Sequence, residues 1–199
     1  MSTKQSTAPA PPRKPKNDDV RGREHLTPTE VEQLAVAAGK IGRNGFRDGL
    51  MVRVAFRHGL RVSELVGLRR DQLDLVNGLL HVRRAKGGLP STHLMGAWEI
   101  RALNKLAKDG PEGPYVFVTE RGAPLTESTF FKIVARAGRA AGLPLSVHPH
   151  MLRHSCGYKL ANDGKDTRSI QAYLGHKSIA NTVRYTALSP TRFKDFWKD

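Results

Sequence analysis

Apolar residues along this chain recur mostly at intervals of three and four, the spacing that gathers one face of an α-helix. The first such run opens at LTPTEV. There Thr27 is placed to cap, Pro28 to take the first helical position, Glu30 to close a capping box, and Leu26 to staple against Val31. This helix is expected to reach about Ala38 and to stop at Gly39. A second run, GFRDGLMVRVAFRH, puts Phe46, Leu50 and Val54 on one stripe before Gly59 ends it. In GLRVSELVGLRRDQLDL, Ser63 reads as the cap of a short helix.

The period then shortens. Two runs in LLHVRRAKGGLPSTHLM flank Ala85-Lys86-Gly87-Gly88, which predicts a β-hairpin with Lys86 at or beside its tip. Helical spacing returns at about 97–108 and 127–141, closed by Gly110 and Gly142, with a strand and turn expected in YVFVTERGAPLT between them. Further helices are expected at about 149–162, 167–174 and 178–186. A last one starts at Ser189, with Pro190 at its first position and Phe193, Phe196 and Trp197 on one side. Residues 1–25, rich in Pro, Ser, Thr and Lys, lack the large apolar groups that offset the entropy of ordering and read as a disordered tail. The pattern predicts an α+β, mostly α, single domain over 26–199 with a small antiparallel sheet at one edge.

Charge narrows the function classes. Of a formal net charge of +15, only +3 lies in residues 1–25, so the folded part is itself basic and a polyanion is the expected partner. Cys156 stands alone, which excludes an internal disulfide and suits a reducing compartment; it is expected as a small buried side chain. No stretch has the apolar run of a signal peptide or the roughly 20 apolar residues of a membrane span. Cytoplasm is the default expectation.

Candidate chemistry concentrates in HPHMLRHSCGYKLAND. With Pro149 opening a helix, His150, Arg153 and His154 share one face. His150 and His154 have the spacing of helical zinc ligands. However, the Glu of HExxH is missing, no CxxC or acidic cluster adds ligands, and an arginine between them opposes a cation. No metal and no cofactor is expected. His148 and His154 are expected to pack or cap, and Arg61, Lys86, His176 and Tyr185 each have an ordinary structural reading when taken singly.

Taken in order, Arg61, Lys86, His150, Arg153, His176 and Tyr185, within GLRVSEL, HPHMLRHSCG and LGHKSIANTVRYT, resemble the active-site series of the tyrosine recombinase (phage integrase) family. The resemblance covers about residues 26–199, and the short length with HPHMLRHSCG is similar to the fimbrial phase-switch invertases. It implies double-stranded DNA as substrate and partner, with Arg61 and Arg153 as a clamp on the reacting phosphate, a task that suits planar, bidentate guanidiniums. Tyr185 would be the nucleophile of a 3′-phosphotyrosyl intermediate. A free phenol has a pKa of about 10 and needs help at neutral pH, which His150 would give as base or proton relay. Lys86 would protonate the leaving 5′ oxygen and His176 would hydrogen-bond the same phosphate. Glu64, three residues after Arg61, is placed either to orient a guanidinium or to solvate a helix start, and the supporting role is the one expected.

The resemblance further implies that monomers assemble into a synaptic tetramer on DNA, aided by accessory DNA-bending proteins. Phe193, Phe196 and Trp197 would dock on the next protomer, and the protein would associate with the nucleoid. Most family members carry an additional N-terminal helical domain. Here about 25 residues precede the first helix, so the catalytic part is expected to stand alone. Two alternatives use the same residues or the same fold: a type IB topoisomerase-like nicking and closing activity, and a DNA-binding regulator without chemistry.

Overall fold

In the computed structural model, which describes residues 23–84, 87–187, 189 and 193, the first helix starts as its sequence dictates. The Glu30 amide donates to Thr27 Oγ1 at 3.2 Å and the Thr27 amide to Glu30 Oε2 at 2.7 Å, so two donors at the helix end are satisfied reciprocally. Helix α1, Pro28–Lys40, nevertheless runs past Gly39, the expected stop. Gly39 lies instead where helix α2, Gly45–His58, crosses close against α1. A Cβ on Gly45 would lie 2.1 Å from the Gly39 oxygen, and one on Gly49 would lie 2.8 Å from the Ala35 oxygen. These glycines allow backbone contact rather than termination.

Gly59 does end α2, in the left-handed conformation (φ 57°) that glycine adopts without penalty. Leu50 and Val54 are buried, but Phe46 is 47 % exposed, because its ring lies beneath the Lys105 ammonium at the surface, 5.6 Å from the ring centre, rather than in the core. The short helix α3, Val62–Val66, is capped from Arg61, and Ser63 lies within its first turn. The reason is Glu64, whose Oε2 accepts from the Arg61 amide at 3.0 Å and so fixes the helix start one turn back.

Three antiparallel strands follow in spatial order: β1 (Leu73–Asp74), β2 (Leu79–Val82) and β3 (Ser91–Leu94), with Leu73 opposite Leu80 and Leu80 opposite His93. The hairpin β2–β3 was expected; β1, two residues long, is too short to show a period. Beyond it come α4 (Ala97–Asp109) and α5 (Glu127–Ala140). The strand expected between them is reduced to isolated bridges, Arg69 to Tyr115 and Val118 to Pro124. The chain then forms α6 (Pro149–Asn162), α7 (Thr167–Leu174) and α8 (Ala180–Ala187). Residues 1–22 of the expected tail, Lys86, Phe196 and Trp197 lie outside the described residues.

The main core gathers Leu34, Ala35, Val52, Leu65, Phe117, Val134 and Leu152 from α1, α2, α3, α5, α6 and the bridge segment, all inaccessible to solvent. A smaller cluster of Cys156, Ala161, Ile170, Leu174 and Tyr185 joins α6, α7 and α8. Cys156 is buried as expected, its thiol pushed up to about 12 by burial. Ser155 ties the chain entering α1 to α6: its Oγ accepts from the Leu26 amide at 2.7 Å and donates to the Met151 carbonyl at 2.7 Å. Among the described residues no helix is long and apolar enough to cross a membrane.

Gly49→Ala should cost about 1–3 kcal/mol, as overpacking a tight contact does, read from the urea midpoint. An unchanged midpoint would show that α1 and α2 separate freely at this crossing.

Candidate active site

Helix α6 is the platform. Pro149 occupies its first turn and His148 its N-cap position, although the His148 ring makes no capping hydrogen bond, contrary to one expectation for it. The three- and four-residue spacing brings His150, Arg153 and His154 together: the His150 and His154 rings meet edge to face with centroids 4.4 Å apart. His150 is exposed, whereas Arg153 is only 2 % exposed. The Arg153 guanidinium donates through Nη1 to the Gly59 carbonyl at 2.5 Å and through Nη2 to the Leu174 carbonyl at 2.7 Å. These carbonyls stand at the C-terminal ends of α2 and α7, where helices leave oxygens without helical partners and carry partial negative charge.

Arg61 enters from the start of α3. Its Nη1 donates to Glu64 Oε1 at 2.7 Å, and Glu64 Oε2 accepts from Arg84 Nη1 at 3.0 Å. His176 follows Gly175, the left-handed cap of α7, and pairs its Nδ1 with Thr182 Oγ1 at 2.8 Å. Tyr185 projects from α8 and is 2 % exposed. Its hydroxyl lies 2.9 Å from His154 Nδ1, its ring lies near that of His176 (6.3 Å, 21°), and Tyr158 meets it edge-on. Gly157 on α6 leaves room for this ring, since a Cβ there would come within 2.7–2.8 Å of it.

The electrostatics follow from this crowding. Burial, then the charges of Arg61 and Arg84, lower the Arg153 pKa to about 10, so the group stays cationic at neutral pH. Burial, then Arg153, Arg61 and Arg84, lower His176 to about 4. His154 falls to about 3 through burial first and His150 next, and His150 is itself lowered by the packing around it and by Arg153. Burial pushes the Tyr185 phenol up to about 12, against the pull of Arg184 and Arg153. Two guanidiniums, Arg61 and Arg84, thus share the carboxylate of Glu64, with that of Arg153 close by, beside neutral imidazoles and a protonated phenol. Such a cluster keeps an excess of positive charge suited to a phosphate.

The structure therefore brings Arg61, Glu64, His150, Arg153, His176 and Tyr185 together. Phe193 is 51 % exposed, and Lys86, Phe196 and Trp197 lie outside the described residues. Sequence reasoning missed Arg84, Thr182 and Gly157, and it expected His154 only to pack or cap. One signal for Arg84 was available: Leu80, Val82 and Arg84 alternate inward along the β2 direction, so a buried arginine continues an apolar face.

Fold and site together define a class of helical enzymes that transfer DNA strands by way of a tyrosine. A sequence model described as the phage integrase family matches residues 24–192, and the chain belongs to that family, the tyrosine recombinases. It is 40% identical over 182 residues to the type 1 fimbriae regulatory protein FimE of Escherichia coli (strain K12), covering 88% of this chain and 91% of FimE. Among solved structures it is similar to XerA recombinase (TM-score 0.73, 29% identity), covering 94% of this chain and 65% of that one. It is also similar to the XerH site-specific recombinase bound to a palindromic difH substrate in a post-cleavage complex (TM-score 0.73, 26% identity), with 86% and 52% covered. The chain thus spans roughly half to two thirds of the length of these two solved recombinases.

His93, His154 and His176 are held to about 3, 3 and 4, chiefly by burial. An unfolded chain protonates them near pH 6.5. Between about pH 6.5 and 4 the unfolded state therefore binds more protons, and stability falls as pH drops through that window. Urea midpoints should decline from pH 7 to 4.5, and His154→Gln should make the decline shallower. A midpoint that stays flat over this range would show that these rings are solvated.

Proposed function

We propose that this protein cuts and rejoins double-stranded DNA at specific sites through a 3′-phosphotyrosyl intermediate on Tyr185, with residues 26–199 as the catalytic unit. The observation that carries the reading is one positively charged cluster in which the Tyr185 ring lies beside His176 and within the field of Arg153, with the Arg61–Glu64 pair acting on the same groups. In this reaction the phenol oxygen forms a bond to phosphorus while the bond from phosphorus to the 5′ oxygen breaks. Arg61 and Arg153 neutralise the charge that develops on the phosphoryl oxygens. His176, with Nδ1 engaged by Thr182, offers Nε2 to the same group.

A ring 2 % exposed does not meet a duplex in place, so DNA binding draws Tyr185 out of its seat on Gly157 and away from His154. Exposed His150 then takes the phenolic proton, and Lys86 supplies one to the departing 5′ oxygen. The liberated 5′ hydroxyl of a partner strand reverses the step. Between short repeats the outcome is inversion, excision or integration of the intervening segment. Four protomers synapse through Phe193, Phe196 and Trp197, with DNA-bending proteins aiding assembly at the nucleoid.

A nicked suicide duplex carrying the native repeat should yield a covalent adduct mapped to Tyr185. Tyr185→Phe should abolish the adduct while DNA affinity stays within about twofold, since a single hydroxyl adds little to a phosphate-dominated interface. A wild type that binds but never traps DNA would support the regulator reading, and relaxation of supercoils by a monomer without synapsis would support the topoisomerase reading. Separately, truncation after Ser189 should leave DNA cleavage by single protomers intact and abolish synaptic complexes on native gels. A truncated protein that recombines normally would exclude the docking role.

A further inference from the structure

Arg84 lies just past the end of β2, and its side chain is 0 % exposed. A cation in that position is costly unless its donors are well placed. Its Nη1 donates to Glu64 Oε2 at 3.0 Å, and its Nη2 donates to the Tyr173 carbonyl and lies 3.4 Å from Ser91 Oγ. Its buried Nε has no hydrogen-bond partner among the described residues. Room for the side chain comes from Gly175, where a Cβ would lie 2.7 Å from Arg84 Cγ and 2.8 Å from Nε. Three of these contacts adjoin a group of the cluster: Glu64 holds Arg61, Tyr173 precedes the Leu174 carbonyl that Arg153 grips, and Gly175 precedes His176.

We infer that Arg84 is a positioning residue that acts on the reacting phosphate through Glu64 and Arg61. The two carboxylate oxygens of Glu64 are divided, Oε1 to the Arg61 guanidinium and Oε2 to Arg84 and the Arg61 amide. While Arg84 occupies Oε2, the carboxylate takes one donor from the Arg61 side chain and leaves the rest of the guanidinium fork to a phosphate. Without Arg84, Glu64 turns to pair with Arg61 through both oxygens, the geometry guanidinium and carboxylate favour, and the donors needed by the phosphate are consumed. Arg84 is closed to solvent, and its part in this proposal is played through Glu64 alone.

This inference rests on the proposed strand-cutting reaction, and its test separates the two. Single-turnover adduct formation is measured on the nicked suicide duplex and on the same duplex with a 5′-bridging sulfur, a leaving group that needs no proton. Arg84→Met and Arg84→Lys should bind the duplex within about twofold of wild type and form adduct roughly 10–100-fold more slowly, the size seen when a supporting partner of a site is removed. Arg84→Lys keeps the buried charge, so it reports on the fork even if Arg84→Met unfolds; thermal midpoints identify that case. The sulfur substrate should leave the defect in place, because the loss lies at Arg61 and not at Lys86, two residues after Arg84 in the sequence. Glu64→Gln combined with Arg84→Met should be no slower than the slower single variant, as expected for residues acting through one contact.

Wild-type rates in both Arg84 variants, recovery on the sulfur substrate, or losses that multiply in the double variant would overturn the assignment of Arg84. A wild type that forms no adduct on either substrate would instead overturn the reaction itself.

Discussion

Arg153 is a long cation with almost none of its surface in water, and much of the surrounding architecture follows from keeping it charged there. Ionic burial is tolerated only when donors are matched by acceptors that are themselves short of partners. Two helix C-termini supply them. Gly59 turns left-handed to end α2 and presents its own carbonyl, and α7 ends at Leu174 before the left-handed Gly175. The compensation is partial: the pKa of Arg153 still falls to about 10, first because burial removes it from water and then because Arg61 and Arg84 lie close enough to repel it. A site left with uncompensated positive charge is one that an incoming phosphate stabilises.

The tyrosine is arranged by the opposite logic. An apolar seat raises its pKa to about 12, and the His154 imidazole, held neutral by burial, faces its hydroxyl. Gly157 shapes that seat, because any side chain there would strike the ring. The phenol is therefore held protonated where it rests, while the cations beside it are already in place. On the proposed reaction, this separates a prepared electrostatic site from a withheld nucleophile, which protects a protein that would otherwise risk cutting any duplex its charge attracts.

How much of this could be read from the chain depends on the range of each interaction. The capping box at Thr27 and Glu30, the bounds of α6, and the shared face of His150, Arg153 and His154 are set within a few residues, and they were legible. Gly39 was misread because a glycine at a helix stop and a glycine at a helix crossing look alike until the partner helix is known. Arg84 with Glu64, and His154 with Tyr185, are contacts across 20 and 31 residues that depend on packing, and no local period encodes them. The ordered series from Arg61 to Tyr185 was legible as a pattern, whereas the division of Glu64 between two arginines was not.

The same long-range contacts determine how the hairpin relates to the site. Arg84, just beyond β2, and His93, in β3, both reach the carbonyl of Tyr173, the latter at 3.1 Å with its ring stacked on Tyr173 at 3.8 Å. Behind them, His93 Nδ1 meets His58 Nδ1 at 3.1 Å, and His58 Nε2 meets Glu99 at 2.7 Å, which fastens β3 to α2 and α4. Arg153 holds the next carbonyl, that of Leu174. Two adjacent carbonyls at the end of α7 are thus gripped from opposite sides, by the hairpin and by the buried cation. The two strands of the hairpin are therefore tied, through Arg84 and His93, to the same helix end that positions His176. Displacing those contacts would disturb Arg61 through Glu64 and Arg153 through Leu174 together, so the hairpin and the charged cluster are held as one unit.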